Sequence, residues 1–453
     1  MYYYNIGSLF AGVGGICLGF KRASEKFRLV LANEIDENAL TTYRYNFNHL
    51  IIKGDIEKIL NPDIFYEERN FLYKKFIELE NEEKEEFEII SESFYKKIFL
   101  EMKKEYLAKV YANGNINDFI PRESIFKYIK IKNKNNVIKK LEYDIVKELK
   151  EDTKEEKILE SREKYADKRK KMLFNHIDIL TAGFPCQAFS IAGERKGFDD
   201  HRGNLFCSII DYVKQLDIAG HGKPRILFLE NVKNLISHDN GRTFTKIKSE
   251  LENIGYKLKY KVLNTCEYTH LPQNRERIFI ICFLKEKDYN EFSFEKLKRY
   301  TNKSKETLRK EIDLCLDLNQ DIKNIDYFYT AEKYPSYYND KINLNKEINE
   351  EYEFYQLRRG MYVRKNQSGI CPTLTANMGT GGHNVPLIKE KTGIRKLSPE
   401  ECFNLQGFRV KQGLYNLPKI SRSYLYKQAG NAVSVDVVQM IAEEIYRVLE
   451  LNN

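Results

Sequence analysis

The chain has 453 residues, of which 42% are hydrophobic and 31% charged, and its formal net charge is +9 at pH 7. This length exceeds that of one ordinary domain, and the hydrophobic content excludes a disordered chain. The basic excess favours a polyanionic partner but does not by itself select nucleic acid.

The eight cysteines are scattered along the chain, and no two of them have C-x-x-C spacing. This pattern argues against a zinc site or a redox dithiol and fits free thiols in a reducing compartment. The first residues show no basic leader, and no apolar run approaches the length of a membrane span. We therefore expect a cytoplasmic protein without a bound metal or a membrane partner.

The first 56 residues alternate between short apolar runs and amphipathic stretches. Strands are predicted over 2–10, 27–34 and 50–56, and helices over 15–25 and 36–47. This rhythm is typical of a parallel sheet built from β-α-β units.

A glycine-rich segment, "FAGVGGICLGF" (10–20), follows the first strand and opens the first helix. Its glycines permit close backbone approach to a polar ligand at the helix N-terminus. It departs from the dinucleotide pattern, because Cys17 stands where the last glycine is expected. Glu34 ends the second strand 20 residues after Gly14, where a carboxylate can accept ribose hydroxyls. The segment predicts a nucleoside cofactor, with an ordinary tight turn as the alternative.

Residues 63–172 interrupt this order with a Glu/Lys-rich tract of helical periodicity. The tract has 26 basic and 25 acidic residues, a net of +1, so the positive excess lies almost wholly outside it. We interpret it as a solvated helical insertion. The basic runs at 127–140 and 168–171 leave a DNA-contacting arm as the alternative.

The strand-helix rhythm resumes at residue 177. The predicted strands are 177–184, 225–232, 258–265 and 277–284, with helices near 204–217 and 242–254. Residues 286 to about 394 then lose this order and are rich in Tyr, Lys and Asn. A final amphipathic helix covers 434–451 and is expected to pack back onto the sheet.

Polar residues cluster at the predicted ends of neighbouring strands. Cys186 follows Pro185 at the carboxyl end of the fourth strand, where packing, metal ligation and nucleophilic catalysis are all open to it. The companions at other strand ends are Glu230, Asn231, Arg275 and Arg277. A glutamate that ends an apolar strand costs free energy unless it is paired or used. The alternative to a catalytic site is a structural Glu–Arg bridge.

Ordered motifs give this chain its family resemblance. They are "SLFAGVGGICLGF", "NEID", "GDI", "GFPCQAFS", "ENVKNL", "QNRERIF", "RKLSPEECFNLQGF" and "QAGNAVSV". Together they resemble the DNA (cytosine-5)-methyltransferases of bacterial restriction-modification systems, along nearly all of the chain outside 63–172.

The resemblance implies an α/β fold with a Rossmann-like methyltransferase sheet, helices on both its faces, a smaller target-recognition domain and a helical insertion. The implied domains are a catalytic domain over 1–285, a recognition domain over 286–424 and a C-terminal helix over 425–453 that returns to the catalytic domain. The implied reaction transfers a methyl group from S-adenosylmethionine to carbon 5 of a flipped-out cytosine in a short sequence of duplex DNA.

The resemblance also assigns catalytic roles. Cys186 would add to carbon 6 of the cytosine as a thiolate. Glu230 would hydrogen-bond the N3 edge of the base, and Arg277 would hold its carbonyl with support from Arg275.

The implied cofactor contacts come from both ends of the chain. Phe10 would lie against the adenine, Glu34 would accept the ribose hydroxyls and Asp55 would accept from the adenine amine. Ile35 stands where many members of the family have a bulkier aromatic residue. The remaining implied contacts are Gly12, Gly14, Gly15, Ile56, Pro185 and Asn431.

The DNA contacts are expected in the loop after Cys186 and in the second domain. The candidates are Gln187, Ser190, Arg195, Lys196, Arg202 and Thr373. The alternative for the loop is an ordinary charged surface segment. The Gly-rich stretch 375–387 is predicted either to enter a groove of the DNA or to be a stabilising turn.

The expected partners are duplex DNA and a cognate restriction endonuclease that shares the site without forming a stable complex; the protein is expected to be a monomer. Two rival functions stay open, a transfer-RNA cytosine-5 methyltransferase and a catalytically silent DNA-binding relative.

Overall fold

The computed structural model describes residues 2–56, 60, 175–184, 205–318, 325–358, 361–366, 369–379 and 384–452. These residues divide into two compact units, 1–52 with 176–453, and 53–175. The predicted insertion 63–172 lies outside the described residues. No helix in the described part of the chain is long and apolar enough to cross a bilayer.

A seven-stranded sheet forms the centre of the first unit. Its strands are β1 (Tyr4–Leu9), β2 (Phe27–Glu34), β3 (Leu50–Lys53), β4 (Ile179–Gly183), β5 (Ile226–Val232), β6 (Lys257–Asn264) and β7 (Glu276–Phe283). Their order across the sheet is β3-β2-β1-β4-β5-β7-β6. β1 pairs in parallel with β2 and β4, and β4 pairs in parallel with β5. Each predicted strand overlaps an observed one, and the predicted α/β methyltransferase fold is confirmed.

Strand β7 departs from the parallel pattern, because it runs antiparallel to both β5 and β6. The segment 265–275 joins β6 to β7 and contains only one helical turn, Thr265–Tyr268. Parallel neighbours need a crossover of a dozen or more residues, so this short connection is better suited to an antiparallel pair. The sequence predicted no helix between these two strands, and it did not indicate that β7 is reversed.

Helices accompany the sheet along the chain. They are α1 (Gly15–Ala23), α2 (Glu37–Arg44), α3 (Leu205–Ile218), α4 (Arg242–Asn253), α5 (Thr265–Tyr268) and α6 (Glu286–Glu291). Single turns of 3-10 helix lie at Lys233–Leu235, His238–Gly241 and Phe294–Lys296.

The last helix, α11 (Val435–Leu451), joins the same core. Its buried face packs with residues of α1, β1, β5 and β7 in one hydrophobic cluster. A methyl group placed on Gly19 of α1 would come within 2.6 Å of Val438. The absence of a side chain at Gly19 therefore allows α1 and α11 to approach closely.

The described residues of 305–431 contain four more helices and a second sheet, which the sequence pattern did not predict. The helices are α7 (Lys305–Cys315), α8 (Leu344–Glu347), α9 (Pro399–Leu405) and α10 (Arg422–Asn431). The strands are β8 (Phe354–Arg358), β9 (Tyr362–Asn366), β10 (Leu387–Glu390) and β11 (Gly393–Lys396), in the order β11-β10-β8-β9. Turns of 3-10 helix lie at Ile325–Tyr327, Pro335–Tyr337 and Ala376–Gly379. The strands have only four or five residues each, too few for a clear alternating pattern.

A buried ion cluster joins this second sheet to α9. Arg395 of β11 is fully buried and donates from Nη1 and Nη2 to the Glu401 carboxylate, at 2.8 and 2.7 Å, while its Nε donates to Glu390 at 2.8 Å. Glu401 also completes a capping box with Ser398 at the start of α9. A buried charge is tolerated only when it is paired and hydrogen-bonded, and both conditions are met here.

We predict that Arg395→Met destabilises the protein by about 3–5 kcal/mol, because two buried carboxylates lose their counter-charge. Urea unfolding followed by far-ultraviolet circular dichroism measures this, since the chain has no tryptophan. The matched control is Arg422→Met, which removes an exposed ion pair with Asp326 and is expected to cost about 0–1 kcal/mol. Equal losses in the two variants would contradict the structural role of the cluster.

Candidate active site

Two charged side chains meet where β5 and β7 lie side by side. Glu230 is close to the carboxyl end of β5, and Arg277 is close to the amino end of β7. The antiparallel register pairs Val232 with Arg277, and Arg277 Nε lies 3.3 Å from Glu230 Oε1. Both side chains are largely buried, with 13% of the Glu230 side chain and 16% of the Arg277 side chain exposed.

The Glu230 carboxyl faces the end of β4. Gly183, the last residue of β4, is the register partner of Glu230, and a methyl group placed on Gly183 would lie 3.5 Å from Glu230 Oε2. Asn231 donates from Nδ2 to the carbonyl of Phe184 at 3.0 Å. Because Phe184 directly precedes Pro185 in the sequence, this hydrogen bond fixes the backbone at the start of the predicted nucleophile loop.

The nucleophile loop itself lies outside the described residues, which stop at residue 184 and resume at 205. Seven predicted site residues fall in this gap. They are Pro185, Cys186, Gln187, Ser190, Arg195, Lys196 and Arg202.

The surroundings of Glu230 favour its protonated form. Burial raises the pKa of Glu230 above its ordinary value of 4.5, while the positive charges of Arg277 and Arg275 lower it. The carboxyl can therefore hold a proton at a higher pH than an exposed glutamate can, which suits a group that shares a proton with a ligand.

Arg275 occupies a different position from Arg277. Its side chain is buried, and its guanidinium donates to the carbonyls of Leu374 at 2.8 Å, Gly430 at 3.1 Å and Ala432 at 2.6 Å. Burial lowers the pKa of Arg275 well below its ordinary range. Arg275 thus connects the segment that carries Thr373 to the segment that carries Asn431, and it does so through backbone groups.

Gln273 and Asn274, which precede Arg275, also form hydrogen bonds with the segment that carries Thr373. Thr373 Oγ1 donates to the Asn274 carbonyl at 2.6 Å, and the Gln273 side chain accepts from the Leu374 amide at 3.2 Å. A methyl group placed on Gly430 would come within 2.2 Å of the Thr375 backbone, so α10 also approaches this segment closely. Thr373 lies in the wall of a polar cleft of about 800 Å³.

The glycine-rich loop lies at the carboxyl ends of β1 and β2. Phe10 and Gly12 have φ angles of 53° and 55°. The Gly12 amide donates to Glu34 Oε2 at 2.7 Å, and the amides of Ile35 and Asp36 donate to Glu34 Oε1 at 2.8 Å each. Burial raises the pKa of Glu34, and these three donors lower it. The carboxyl is therefore fixed in orientation beside the loop.

The three predicted loop glycines have different environments. A methyl group on Gly12 would meet nothing within 4 Å, so open space borders this residue. A methyl group on Gly14 would lie 2.4 Å from the Phe47 ring, and one on Gly15 would lie 3.0 Å from Val433. Gly14 and Gly15 are thus explained by packing, and only their backbone is available to a ligand.

The other predicted cofactor residues are dispersed. Ile35 is 50% exposed directly after β2, an unusual place for a large apolar side chain. Asn431 is exposed at the end of α10. Asp55 and Ile56 follow β3 and belong to the second unit. No group of three or more potential metal ligands occurs among the described residues.

Comparison with known proteins identifies the family. The profile of the C-5 cytosine-specific DNA methylases matches residues 4–73 and 147–447. The chain belongs to this family. It is a DNA (cytosine-5)-methyltransferase, as its motifs predicted, and the unmatched residues 74–146 fall within the predicted insertion.

Two relatives show how far the similarity of this methylase extends. It is 36% identical to the Type II methyltransferase M.Bsp6I of a Bacillus species over 443 residues, which cover 98% of each chain. It is also 36% identical to M.HhaI of Haemophilus parahaemolyticus over 280 residues, or 59% of this chain and 75% of the relative.

Solved structures show the same fold. The Dnmt2 methyltransferase of S. pombe has a TM-score of 0.52 and 14% identity, with 99% of each chain covered. A Dnmt2 variant of Spodoptera frugiperda has a TM-score of 0.51 and 15% identity, with 98% of this chain and 99% of that chain covered.

The raised pKa of Glu230 predicts a pH-dependent stability difference between the methylase and its Glu230→Gln variant. At a pH between the Glu230 pKa of the unfolded chain and its raised pKa in the folded protein, the folded state binds more protons than the unfolded state. The wild type should therefore lose stability relative to Glu230→Gln as the pH rises above 4.5 and through the raised pKa, and the difference should then level off.

Urea unfolding at a series of pH values measures the difference. Glu276→Gln, which changes a partly exposed carboxyl on the neighbouring strand β7, serves as the control. A difference that instead grows in favour of the wild type with rising pH would contradict the burial of Glu230.

Proposed function

We propose that this methylase transfers a methyl group from S-adenosylmethionine to carbon 5 of a cytosine in duplex DNA, through a covalent adduct between Cys186 and carbon 6. The observation that carries the proposal is the pairing of Glu230 with Arg277 beside the end of β4. The Glu230 carboxyl can retain a proton, and it lies beside the Arg277 guanidinium. Together these two donors match N3 and the carbonyl oxygen of cytosine.

The glycine-rich loop and its neighbours fit the cofactor. Glu34 is fixed by three backbone donors, open space borders Gly12, and the exposed Ile35 offers an apolar surface to an adenine ring. Phe10 and Asn431 are proposed to complete the site, with Gly14 and Gly15 contributing backbone only, and roles for Asp55, Ile56 and Pro185 stay predictions from the family resemblance. When bound, S-adenosylmethionine supplies an electrophilic methyl group.

The target base has to leave the duplex before these residues can reach it, because its reactive atoms are stacked and paired in the helix. Glu230 then hydrogen-bonds N3, and Arg277 donates to the cytosine carbonyl. The burial of both side chains strengthens these contacts, since water is displaced from the site. Gln187, Ser190, Arg195, Lys196, Arg202 and Thr373 are proposed to hold the opened DNA.

Cys186 supplies the nucleophile. Its thiolate forms a bond to carbon 6, Glu230 gives a proton to N3, and the ring electrons make carbon 5 nucleophilic. Carbon 5 takes the methyl group as the methyl–sulfur bond of the cofactor breaks, with a thioether as the leaving group. The carbon 5 proton is then lost to water, the electron pair of that bond expels the Cys186 sulfur from carbon 6, and N3 returns its proton to Glu230. The thiolate is thereby restored.

Arg275 is proposed as a positioning residue. Its guanidinium fixes the carbonyls on both sides of Asn431 and the carbonyl that follows Thr373. Through these three bonds one side chain sets the relative positions of a proposed cofactor contact and a proposed DNA contact, without touching either ligand.

The substrate and its biological setting are proposed from the family and the named relatives. Residues 286–424 are assigned to target recognition and 425–453 to the helix that completes the catalytic domain. M.Bsp6I and M.HhaI are Type II methyltransferases, and we assign this methylase to a restriction-modification system. It is proposed to act as a monomer and to share its site with a separate endonuclease.

We predict that Cys186→Ala retains cofactor binding and loses methyl transfer, because only the nucleophile is removed. Cofactor binding is measured by titration calorimetry and transfer by tritium incorporation into plasmid DNA. Cys207→Ala, at a partly exposed cysteine of α3, should keep transfer close to the wild-type rate. Turnover of Cys186→Ala near that of the wild type would rule out Cys186 as the nucleophile.

The nucleic-acid substrate is tested by offering duplex DNA and transfer RNA to the same preparation. We expect methylation of the DNA. Methylation of the RNA alone would replace this proposal with the transfer-RNA function, and binding of DNA without any methylation would favour the silent relative.

A further inference from the structure

The hairpin of β8 and β9 presents one polar face. Its register pairs Gln356 with Arg364 and Arg358 with Tyr362, so these four side chains lie on the same side of the two strands. The alternate residues Tyr355 and Leu357 are buried in the core on the opposite side. We call Gln356, Arg358 and Arg364 the hairpin face.

The hairpin face lines the cleft of about 800 Å³ that also contains Thr373. Asn274 and Asn377 lie in its walls, and no carboxylate does among the described residues. Asn274, in the wall of the cleft, precedes Arg277 by three residues in the sequence. A ligand in this cleft meets amide and guanidinium groups and no negative charge.

The arginines of the hairpin face lack the counter-charge that two neighbouring basic residues have. Lys365 pairs with Glu350, and Arg422 pairs with Asp326. Arg358 and Arg364 make no ion pair with any described residue. Two guanidiniums without carboxylate partners produce a positive potential in the cleft, which favours a polyanion.

The two arginines are held differently. Arg358 is half-buried, and its Nη2 donates to Oε1 of the buried Gln356 at 2.8 Å. This bond restrains the guanidinium and leaves four of its five N–H donors without a partner among the described residues. Arg364 is exposed, and its side chain makes no hydrogen bond to the described residues. One guanidinium is thus oriented in advance, and the other is free to adjust.

These differences point to different contacts on DNA. A base edge demands a fixed bidentate donor, whereas a phosphate accepts a donor from many directions. A two-stranded ribbon fits the major groove, where guanine presents two acceptors, O6 and N7, that match a guanidinium.

We propose that Arg358 reads a guanine in the recognised sequence, that Gln356 positions it, and that Arg364 contacts a phosphate. The inference rests on the proposed function, because it requires duplex DNA as the substrate. It adds a chemical requirement to that function, namely a guanine recognised through its major-groove edge.

The experiment measures sequence preference with a library of duplexes that carry randomised bases around cytosines. After methylation, bisulfite sequencing gives the discrimination at every position for the full-length wild type and each variant. For Arg358→Ala we expect a roughly 10- to 100-fold loss of discrimination at one guanine position, with the other positions retained. Because positions are compared within one preparation, partial unfolding does not alter the ratio.

Three further variants separate the roles. Gln356→Leu should relax the same position by a smaller factor, since Arg358 keeps its charge but loses its orientation. Arg358→Lys should also relax it, because an ammonium cannot make the bidentate contact. Arg364→Ala should leave the sequence preference intact while lowering affinity for all duplexes, with the slope of log affinity against log salt reduced by about 1.

The outcomes distinguish this inference from the proposed function. If the wild type methylates no duplex, the proposed function fails. If it methylates a defined sequence and Arg358→Ala lowers the rate at every position equally, or if that sequence requires no guanine at any single position, the assignment of Arg358 is overturned and the function stands.

Discussion

The antiparallel pairing of β7 with β5 is the constraint on which the site depends. Side chains that end parallel strands collect at one edge of a sheet, and Glu230 reaches that edge at the end of β5. Only a strand of opposite direction can bring residues from its amino end to the same edge. Arg277 therefore meets Glu230 because β7 is reversed, and Arg275, two residues earlier, falls within reach of the carbonyls on both sides of Asn431.

The same reversal connects distant parts of the chain. The segment that enters β7 binds the Thr373 segment through Gln273 and Asn274, and Arg275 binds the end of α10. The chain then closes the core with α11, which packs against α1. Residues 273–277 thus position three proposed contacts, namely Arg277 for the base, Thr373 for the DNA and Asn431 for the cofactor.

The sequence allowed the seven strands of the main sheet to be predicted, because their apolar runs are long and their helices amphipathic. It did not indicate the direction of β7, since periodicity carries no information on strand direction. The second sheet was missed because its strands are short. The positions of Glu230 and Arg277 at predicted strand ends made them candidates for the site, and the structure pairs their side chains. It could not reveal that Arg275 is directed at backbone carbonyls, that Asn231 holds Phe184, or that packing accounts for Gly14 and Gly15, because these are tertiary contacts.

The central claim is that Glu230 and Arg277 assist the addition of Cys186 to a cytosine at this sheet edge. Trapping with duplexes that contain 5-fluorocytosine tests it most directly, because fluorine cannot leave as a proton and the adduct persists. The account predicts a denaturation-resistant adduct that peptide mass spectrometry locates at Cys186, and slower trapping by Glu230→Gln at equal DNA occupancy. An adduct at another cysteine, or trapping by Glu230→Gln at the wild-type rate, would contradict it.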